Sequence, residues 1–205
     1  MTRIFVTGIS TEVGKTITSA IITEALEADY WKPVQAGELE NTDSDKVASL
    51  ISNSKTKIHE SSYKLTSPMS PHAAAEIDGV HIVRDKIKEP ETDNHLVIEG
   101  AGGLLVPLNS DDTILDIIMP NYKVIVVSRH YLGSINHSLL TINWLKQKGY
   151  DVAVLFSGDE NPTTEQIILK KTGVPSLGRI NEEILFDKKV IKSYANRFRG
   201  VLESL

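Results

Sequence analysis

Short apolar runs alternate with helical stretches along most of the chain. Several of these runs are apolar at consecutive positions, which is typical of strands covered on both faces in a parallel sheet. The pattern predicts strands at residues 3–7, 30–34, 95–99, 123–128, 152–157 and 176–180. Helical spacing predicts helices at residues 14–28, 43–52, 71–78, 81–88, 134–148, 163–172 and 187–205. In the helix at 134–148, Ile135, Leu139 and Ile142 form one apolar stripe that is expected to pack on the sheet.

The first predicted strand leads into the segment GISTEVGKT at residues 8–16, and a predicted helix follows. A strand, a glycine-bounded loop and a helix start form a cradle for phosphate, because backbone N–H groups and the positive end of the helix face the anion. In such a loop Lys15 reaches the outer phosphates and the Thr16 hydroxyl can bind Mg²⁺. The loop is longer than the common pattern, since five residues rather than four separate Gly8 from Gly14.

Strand–helix alternation with a phosphate loop after the first strand predicts the fold class. We expect an α/β fold of P-loop NTPase type, with a doubly wound, mostly parallel sheet and helices on both faces. The length of 205 residues suits a single domain, which we place at residues 1–205. Ligands of such a fold bind beyond the carboxyl ends of the strands, and the remaining motifs fall at those ends.

Composition narrows the possible functions. With 40% apolar and 24% charged residues, the chain has the composition of an ordinary globular protein. The absence of cysteine excludes disulfides, thiolate metal sites and cysteine nucleophiles. The net charge of −5 argues against a general nucleic-acid surface, and the six histidines show no zinc-binding pair. The first apolar run is short and ends in Thr-Gly, so we expect no signal peptide, no membrane span and a cytoplasmic location.

The strand at 95–99 ends in Glu99 and continues into the glycine-rich turn at 100–103. A carboxylate at this position is where a phosphate-loop enzyme needs an oxygen ligand for the Mg²⁺ of its nucleotide, and the glycines let backbone approach phosphate. A strand that ends in Glu and a flexible turn is also a common architectural feature. The loop at 8–16 is what favours the functional interpretation.

Two further segments carry candidate chemistry. Lys32 precedes Pro33, which holds the lysine extended and fixes the direction of its side chain, although an exposed lysine at a strand end is the simpler interpretation. The segment NTDSDKV at 41–47 has the composition of a helix start, with Asp43 or Ser44 as the cap.

Together these segments resemble the dethiobiotin synthetase family of biotin synthesis. The resemblance is strongest at GISTEVGKT, at EGAGG (99–103) and at KPV (32–34), and it follows nearly the whole chain in order. It implies an ATP- and Mg²⁺-dependent ligase: CO₂ adds to one amine of 7,8-diaminopelargonate, the carbamate takes the γ-phosphoryl group, and the second amine displaces phosphate. It also implies a homodimer with the active site at the interface, and neither nucleic acid nor a membrane as partner.

The resemblance assigns roles to individual residues. Lys15 and Lys32 are the expected catalytic lysines, because two cations offset the repulsion between a carbamate and ATP. The expected Mg²⁺ ligands are Thr16, Asp45 and Glu99. The expected ATP contacts are Glu12, Val13, Gly14, Lys15, Thr16, Ile17, Asp45, Glu99, Gly100, Ala101, Gly102, Ser157 and Gly158. The expected substrate contacts are Thr11, Lys32, Ala36 and, from the turn at 133–137, Gly133, Ser134, Ile135 and Asn136.

Several positions depart from the family pattern or extend it. Ala36 stands where some relatives carry a hydroxyl. Ser157 stands where many carry an asparagine that reads adenine, and one hydroxyl cannot replace the paired donor and acceptor of an amide. We therefore expect weaker selection among nucleotides, unless Asn161 substitutes. His72 lies in a loop punctuated by prolines, which structure alone can explain without a ligand. The family resemblance makes His72 a further candidate near the substrate.

A positioning or partition ATPase is the alternative, because these switch proteins belong to the same broad fold group. Their loops usually carry an early second lysine. This chain has Ser10 at that position, and its sequence shows no basic tail or amphipathic C-terminal anchor.

Overall fold

The computed structural model describes residues 1–204. Its strands are β1 (Arg3–Gly8), β2 (Asp29–Trp31), β3 (Val34–Ala36), β4 (Ile58–His59), β5 (Tyr63–Leu65), β6 (Leu96–Gly103), β7 (Lys123–Arg129), β8 (Asp151–Ser157) and β9 (Ser176–Ile180). Its helices are α1 (Lys15–Leu26), α2 (Asp43–Leu50), α3 (Pro71–Ile77), α4 (Ser134–Gln147), α5 (Pro162–Thr172) and α6 (Lys188–Glu203), with 3₁₀ turns at Arg84–Lys86 and Ile114–Ile117.

Seven strands form one parallel sheet in the order β4-β2-β6-β1-β7-β8-β9, while β3 and β5 pair in a small second sheet. The connection through α1 runs from β1 toward β2, whereas the connections through α4 and α5 run the opposite way along the sheet. Because such crossovers are right-handed, the two sets of helices lie on opposite faces. The predicted doubly wound α/β fold is confirmed, and the carboxyl ends of β1, β2 and β6 meet at the point where the direction reverses.

The core is densest around the centre of the large sheet. Strands β1, β6, β7 and β8 are buried along most of their length. Helix α1 is buried on nearly all sides, because it packs on the sheet and is covered in turn by α6. The apolar face of α6 consists of Ile191, Tyr194, Ala195, Phe198 and Leu202.

The predicted strand at 30–34 is interrupted at Lys32 and Pro33. Proline has no N–H to donate to a sheet ladder, so β2 stays in the large sheet and the chain then moves to the small one, where β3 pairs with β5. The sequence pattern does not predict β4 or β5, because two and three residues are too few to show an alternation.

Two of the predicted helices differ from the structure. The helix expected at 81–88 is wrong: the segment holds only the turn Arg84–Lys86, and the N–H of Val83 bonds to the Tyr63 hydroxyl instead of entering a helix. The helix expected at 187–205 corresponds to α6, which begins after its cap Asp187; Leu205 lies outside the described residues.

The predicted apolar stripe on α4 is also partly wrong. Ile142 is buried, but Ile135 is 37% exposed, and the inward face carries the small residues Ser134 and Ser138. Ser138 Oγ lies 2.8 Å from Ser128 Oγ of β7, so a polar contact at close range replaces the expected aliphatic one. No helix within residues 1–204 has the length and the apolar character needed to cross a membrane.

Candidate active site

A cleft of about 750 Å³ lies where β1, β2 and β6 end. Most of the predicted nucleotide and substrate residues line it. They are Thr11, Glu12, Gly14, Lys15, Thr16, Ile17, Lys32, Ala36, Glu99, Ala101, Gly102 and Ser157. The predicted residues that do not line it are Val13, Asp45, Gly100, Gly158 and Gly133 to Asn136.

The loop between β1 and α1 needs glycine at both of its ends. A Cβ atom at Gly8 would lie 2.5 Å from Val13 Cγ2, so the buried Val13 side chain packs directly over the loop's start. Gly14 has a φ of 96°, in the left-handed region that glycine favours, and α1 starts at the next residue. The positive end of α1 therefore opens into the cleft at the position where a phosphate would bind.

Lys15 is the first residue of α1, and its side chain folds over the loop. Its Nζ donates a hydrogen bond to the carbonyl oxygen of Ser10 at 3.1 Å. Burial, together with the nearby charge of Lys32, lowers the pKa of Lys15 to about 8. A phosphate bound in this loop would raise the pKa of Lys15 again, because an anion at close range favours the protonated amine.

Three hard oxygen donors converge next to Lys15. Thr16 Oγ1 lies 2.9 Å from Glu99 Oε1 and 3.1 Å from Asp43 Oδ1, and it can donate its one proton to either. A hydroxyl and two carboxylates are the donor types that Mg²⁺ prefers. Within residues 1–204, no group of three or more His, Cys, Asp or Glu side chains is placed to hold a metal ion.

Lys32 is buried directly behind these donors. Its Nζ lies 2.8 Å from Asp43 Oδ2 and 3.0 Å from Glu99 Oε1, and it donates to the carbonyl oxygen of Gly100 at 3.1 Å. Burial alone would lower the pKa of Lys32, but the charges of Glu99 and Asp43 outweigh burial and raise it. The same ion pair outweighs burial at Asp43 and lowers the pKa of that carboxyl. Lys32 is therefore a fixed cation at neutral pH.

The expectation that Asp45 joins Thr16 and Glu99 is wrong, because Asp43 occupies that place. Asp45 is exposed, and its Oδ2 accepts hydrogen bonds from the N–H of Thr42 at 2.9 Å and from its hydroxyl at 2.6 Å. Thr42 Oγ1 accepts in return from the N–H of Asp45, which makes the two residues the capping box of α2. The cap is thus Thr42 rather than Asp43 or Ser44. A Thr followed three residues later by Asp is the sequence signal that assigns Asp45 to the cap.

Ser157 also lines the cleft and is buried next to the phosphate loop, where a Cβ atom at Gly14 would lie 3.0 Å from Ser157 Oγ. The side chain of Asn161 caps α5 by accepting from the N–H of Thr164 at 3.1 Å, and Asn161 is not among the residues that line the cleft. Sequence reasoning missed the residues that form the opposite wall. They are Arg129, which is ion-paired with Glu182 at 2.5 Å, and Ile180, Asn181 and Phe186.

Comparison with known proteins identifies the family of this chain. Residues 2–189 match the sequence model of a family described as AAA domain. A protein from Christiangramia forsetii that is named ATP-dependent dethiobiotin synthetase is 58% identical over 95% of both chains. Proteins of the same name from Cytophaga hutchinsonii and Chlamydia felis are 49% and 36% identical, over 95% and 98% of this chain and 96% of each of theirs. The chain belongs to the ATP-dependent dethiobiotin synthetase family.

Solved structures show the same fold at low sequence identity. A plasmid partition protein from Borrelia burgdorferi has a TM-score of 0.62 at 16% identity, over 100% of this chain and 99% of its own. A ParA family ATPase from Chlorobium tepidum has a TM-score of 0.58 at 11% identity, over 100% of both chains. At these identities the likeness shows the fold alone. Sequence, not architecture, distinguishes this dethiobiotin synthetase family member from the partition ATPases.

The turn at 133–137, which the family resemblance predicts to contact the substrate, does not line the cleft. Gly133 has a φ of 102° and precedes α4, and Asn136 is exposed. Tyr131 and His137 bracket the turn and share a hydrogen bond of 2.8 Å between the Tyr131 hydroxyl and His137 Nδ1. His72 is exposed and is not among the lining residues, although its neighbour Pro71 is.

Proposed function

We propose that this member of the family joins CO₂ to 7,8-diaminopelargonate and closes the cyclic urea of dethiobiotin, at the expense of ATP. The observation that carries the proposal is the convergence of a phosphate loop, two buried lysines and three hard oxygen donors in one cleft. A nucleotide-driven condensation of two anions needs this set of charges. The family membership supplies the identity of the substrate.

The loop and the positive end of α1 would hold the phosphates, with Lys15 turned from Ser10 to the outer phosphate oxygens. Thr16, Asp43 and Glu99 would hold Mg²⁺, and Asp43 replaces Asp45 in this proposal. A bound Mg²⁺ would neutralise charge that develops on the β- and γ-phosphates. The hydroxyl and the two carboxylates fit that ion by donor chemistry.

The remaining work of the site is to bring the carbamate to the γ-phosphate. One amine nitrogen of the diamine forms a bond to the carbon of CO₂ and loses a proton. A carbamate oxygen then bonds to the γ-phosphorus as the bond to ADP breaks. The second amine attacks the same carbon, phosphate leaves, and the ring closes. Lys32 lies between the two carboxylates at the end of β2, so its charge can offset the repulsion of the approaching anions.

We further propose that the active site is completed by a second copy of the chain. The turn at 133–137 does not line the cleft of its own subunit but bears exposed groups, including the backbone of a helix start. Leu132 is fully exposed beside it and Ile135 partly so, as expected for apolar side chains that a partner covers. A two-fold dimer would contain two equivalent sites, each with a turn from the partner.

The partition ATPases share this fold, but the sequence assigns the chain to the dethiobiotin synthetase family. One assay separates the two. ATP turnover that requires both diaminopelargonate and bicarbonate, with dethiobiotin detected by mass spectrometry, is the expected result. Turnover that is independent of the diamine but rises with DNA or with lipid vesicles would overturn the ligase assignment.

A further inference from the structure

Tyr30 contacts the active-site carboxylate from inside the core. It belongs to β2, has no exposed surface, and its hydroxyl donates a hydrogen bond to Glu99 Oε2 at 2.9 Å. Glu99 is itself 1% exposed. Neither the hydrophobic pattern nor the family motifs single out this tyrosine, which is predicted simply as part of an apolar strand.

The register of the sheet explains the contact. Tyr30 lies in β2 and Lys32 is the first residue after its end, and both side chains point toward Glu99. β2 lies beside β6, with Tyr30 opposite Val97 and Trp31 opposite Ile98, so Glu99 follows just beyond the paired positions. Tyr30 and Lys32 therefore both reach Glu99 from the neighbouring strand.

The two oxygens of Glu99 are used differently. Oε1 accepts from Thr16 and Lys32 on the cleft side, whereas Oε2 accepts from the Tyr30 hydroxyl. The Tyr30 hydroxyl is the donor in this contact, because an ionised carboxylate can only accept. A carboxylate turns readily about its last torsion unless a partner fixes it.

We infer that Tyr30 is a positioning residue: it fixes Glu99 so that Oε1 faces the metal and nucleotide. This inference rests on the proposed function, in which Glu99 is a Mg²⁺ ligand. Partners that orient a metal ligand commonly change metal affinity by about 10- to 100-fold when they are removed. The contact adds a fourth residue to the machinery formed by Thr16, Asp43 and Glu99.

The test is Tyr30→Phe, which removes one oxygen and keeps the ring. The matched control is Tyr150→Phe, which also removes a hydroxyl hydrogen bond, in this case one of 2.7 Å to the carbonyl oxygen of Ile118. Neither Tyr150 nor Ile118 lines the cleft. Mn²⁺ replaces Mg²⁺ as a paramagnetic probe, and its affinity for the protein–ADP complex is measured by electron paramagnetic resonance. ADP affinity without metal and the unfolding temperature are measured for each protein.

We expect Tyr30→Phe to weaken Mn²⁺ binding by about tenfold or more, with metal-free ADP affinity within about twofold of wild type and Tyr150→Phe unchanged in both. Equal Mn²⁺ affinity in Tyr30→Phe and wild type would overturn the inference. So would an equal loss of ADP affinity with and without metal, or a Tyr30→Phe chain that does not fold, since either result assigns the hydroxyl to stability. A wild-type protein whose ADP complex binds no Mn²⁺ would overturn the proposed metal site itself.

Discussion

The sharpest test of the site separates Asp43 from Asp45, two acidic residues that lie in the first turn of α2. Asp43→Asn removes the charge that lies 2.8 Å from Lys32 Nζ and takes away one of the three proposed metal donors. Asp45→Asn removes a similar charge from an exposed capping residue. The two variants change the sequence in the same way and the site in different ways.

The structure sets the expected magnitudes. At 2.8 Å and an effective dielectric constant of about 20, the gross attraction between Asp43 and Lys32 is about 6 kcal/mol before desolvation is subtracted. Leaving a buried charge without its partner costs about 3–5 kcal/mol. Because Glu99 still lies 3.0 Å from Lys32, we expect the loss at the transition state to be about 2–3 kcal/mol, or about 30- to 150-fold in kcat/KM.

The assay is dethiobiotin formation from diaminopelargonate, bicarbonate and ATP, at saturating Mg²⁺ and well below the unfolding temperature. Asp45→Asn should keep kcat/KM within about threefold of wild type and lower the stability by about 1 kcal/mol, the usual cost of a weakened helix cap. An Asp45→Asn enzyme as impaired as Asp43→Asn, or an Asp43→Asn enzyme of wild-type activity, would refute the assignment of Asp43 to the site.

Three further outcomes are expected. Since the pKa of Lys15 is about 8 in the free protein, the Lys15 amine is largely neutral at pH 9, and binding of ADP with Mg²⁺ at that pH should take up nearly one proton. Calorimetry in buffers of different ionisation enthalpy should detect the proton uptake, and uptake that survives in Lys15→Met would contradict this prediction. For the dimer, Lys32→Ala and Asn136→Ala chains that are each inactive should regain about a quarter of wild-type activity when they are dissociated and reassembled in equal amounts, because half of the dimers then carry one intact site. Mixtures that stay inactive despite proven exchange would place Lys32 and Asn136 in the site of the same subunit. At Ser157, the loss of an amide's two-point contact with the nucleotide base is worth about 1–3 kcal/mol, so selection of ATP over other triphosphates should be weak. Strict ATP selectivity that survives in Ser157→Ala would mean that other groups read the base.

Much of the fold could be predicted from the sequence because its signals are local. Doubly buried strands, the GISTEVGKT loop and the Lys32–Pro33 pair each determine structure within a few residues. The same pattern does not show that Pro33 moves the chain into a second sheet, because the partner strand β5 is three residues long and lies far along the sequence.

The site was harder to predict from the sequence, because its contacts join segments that are distant along the chain. Which of Asp43 and Asp45 faces the cleft depends on the capping box with Thr42, which the family resemblance, by pointing to Asp45, does not take into account. Neither Tyr30 nor Arg129 belongs to a sequence motif. Their contacts with Glu99 and Glu182 arise from strand register and from the packing of separate loops, which spacing along one chain does not encode.

The covering of α1 by α6 has a consequence for how the protein is made. Helix α1, which presents Lys15 and Thr16, is synthesised well before α6, whose apolar face with Ile191 and Phe198 covers it. A nascent chain that has not yet reached α6 therefore leaves that side of α1 uncovered. We expect a ribosome-bound chain that stops before α6 to expose an apolar surface that chaperones recognise, and to bind nucleotide less well than the folded protein.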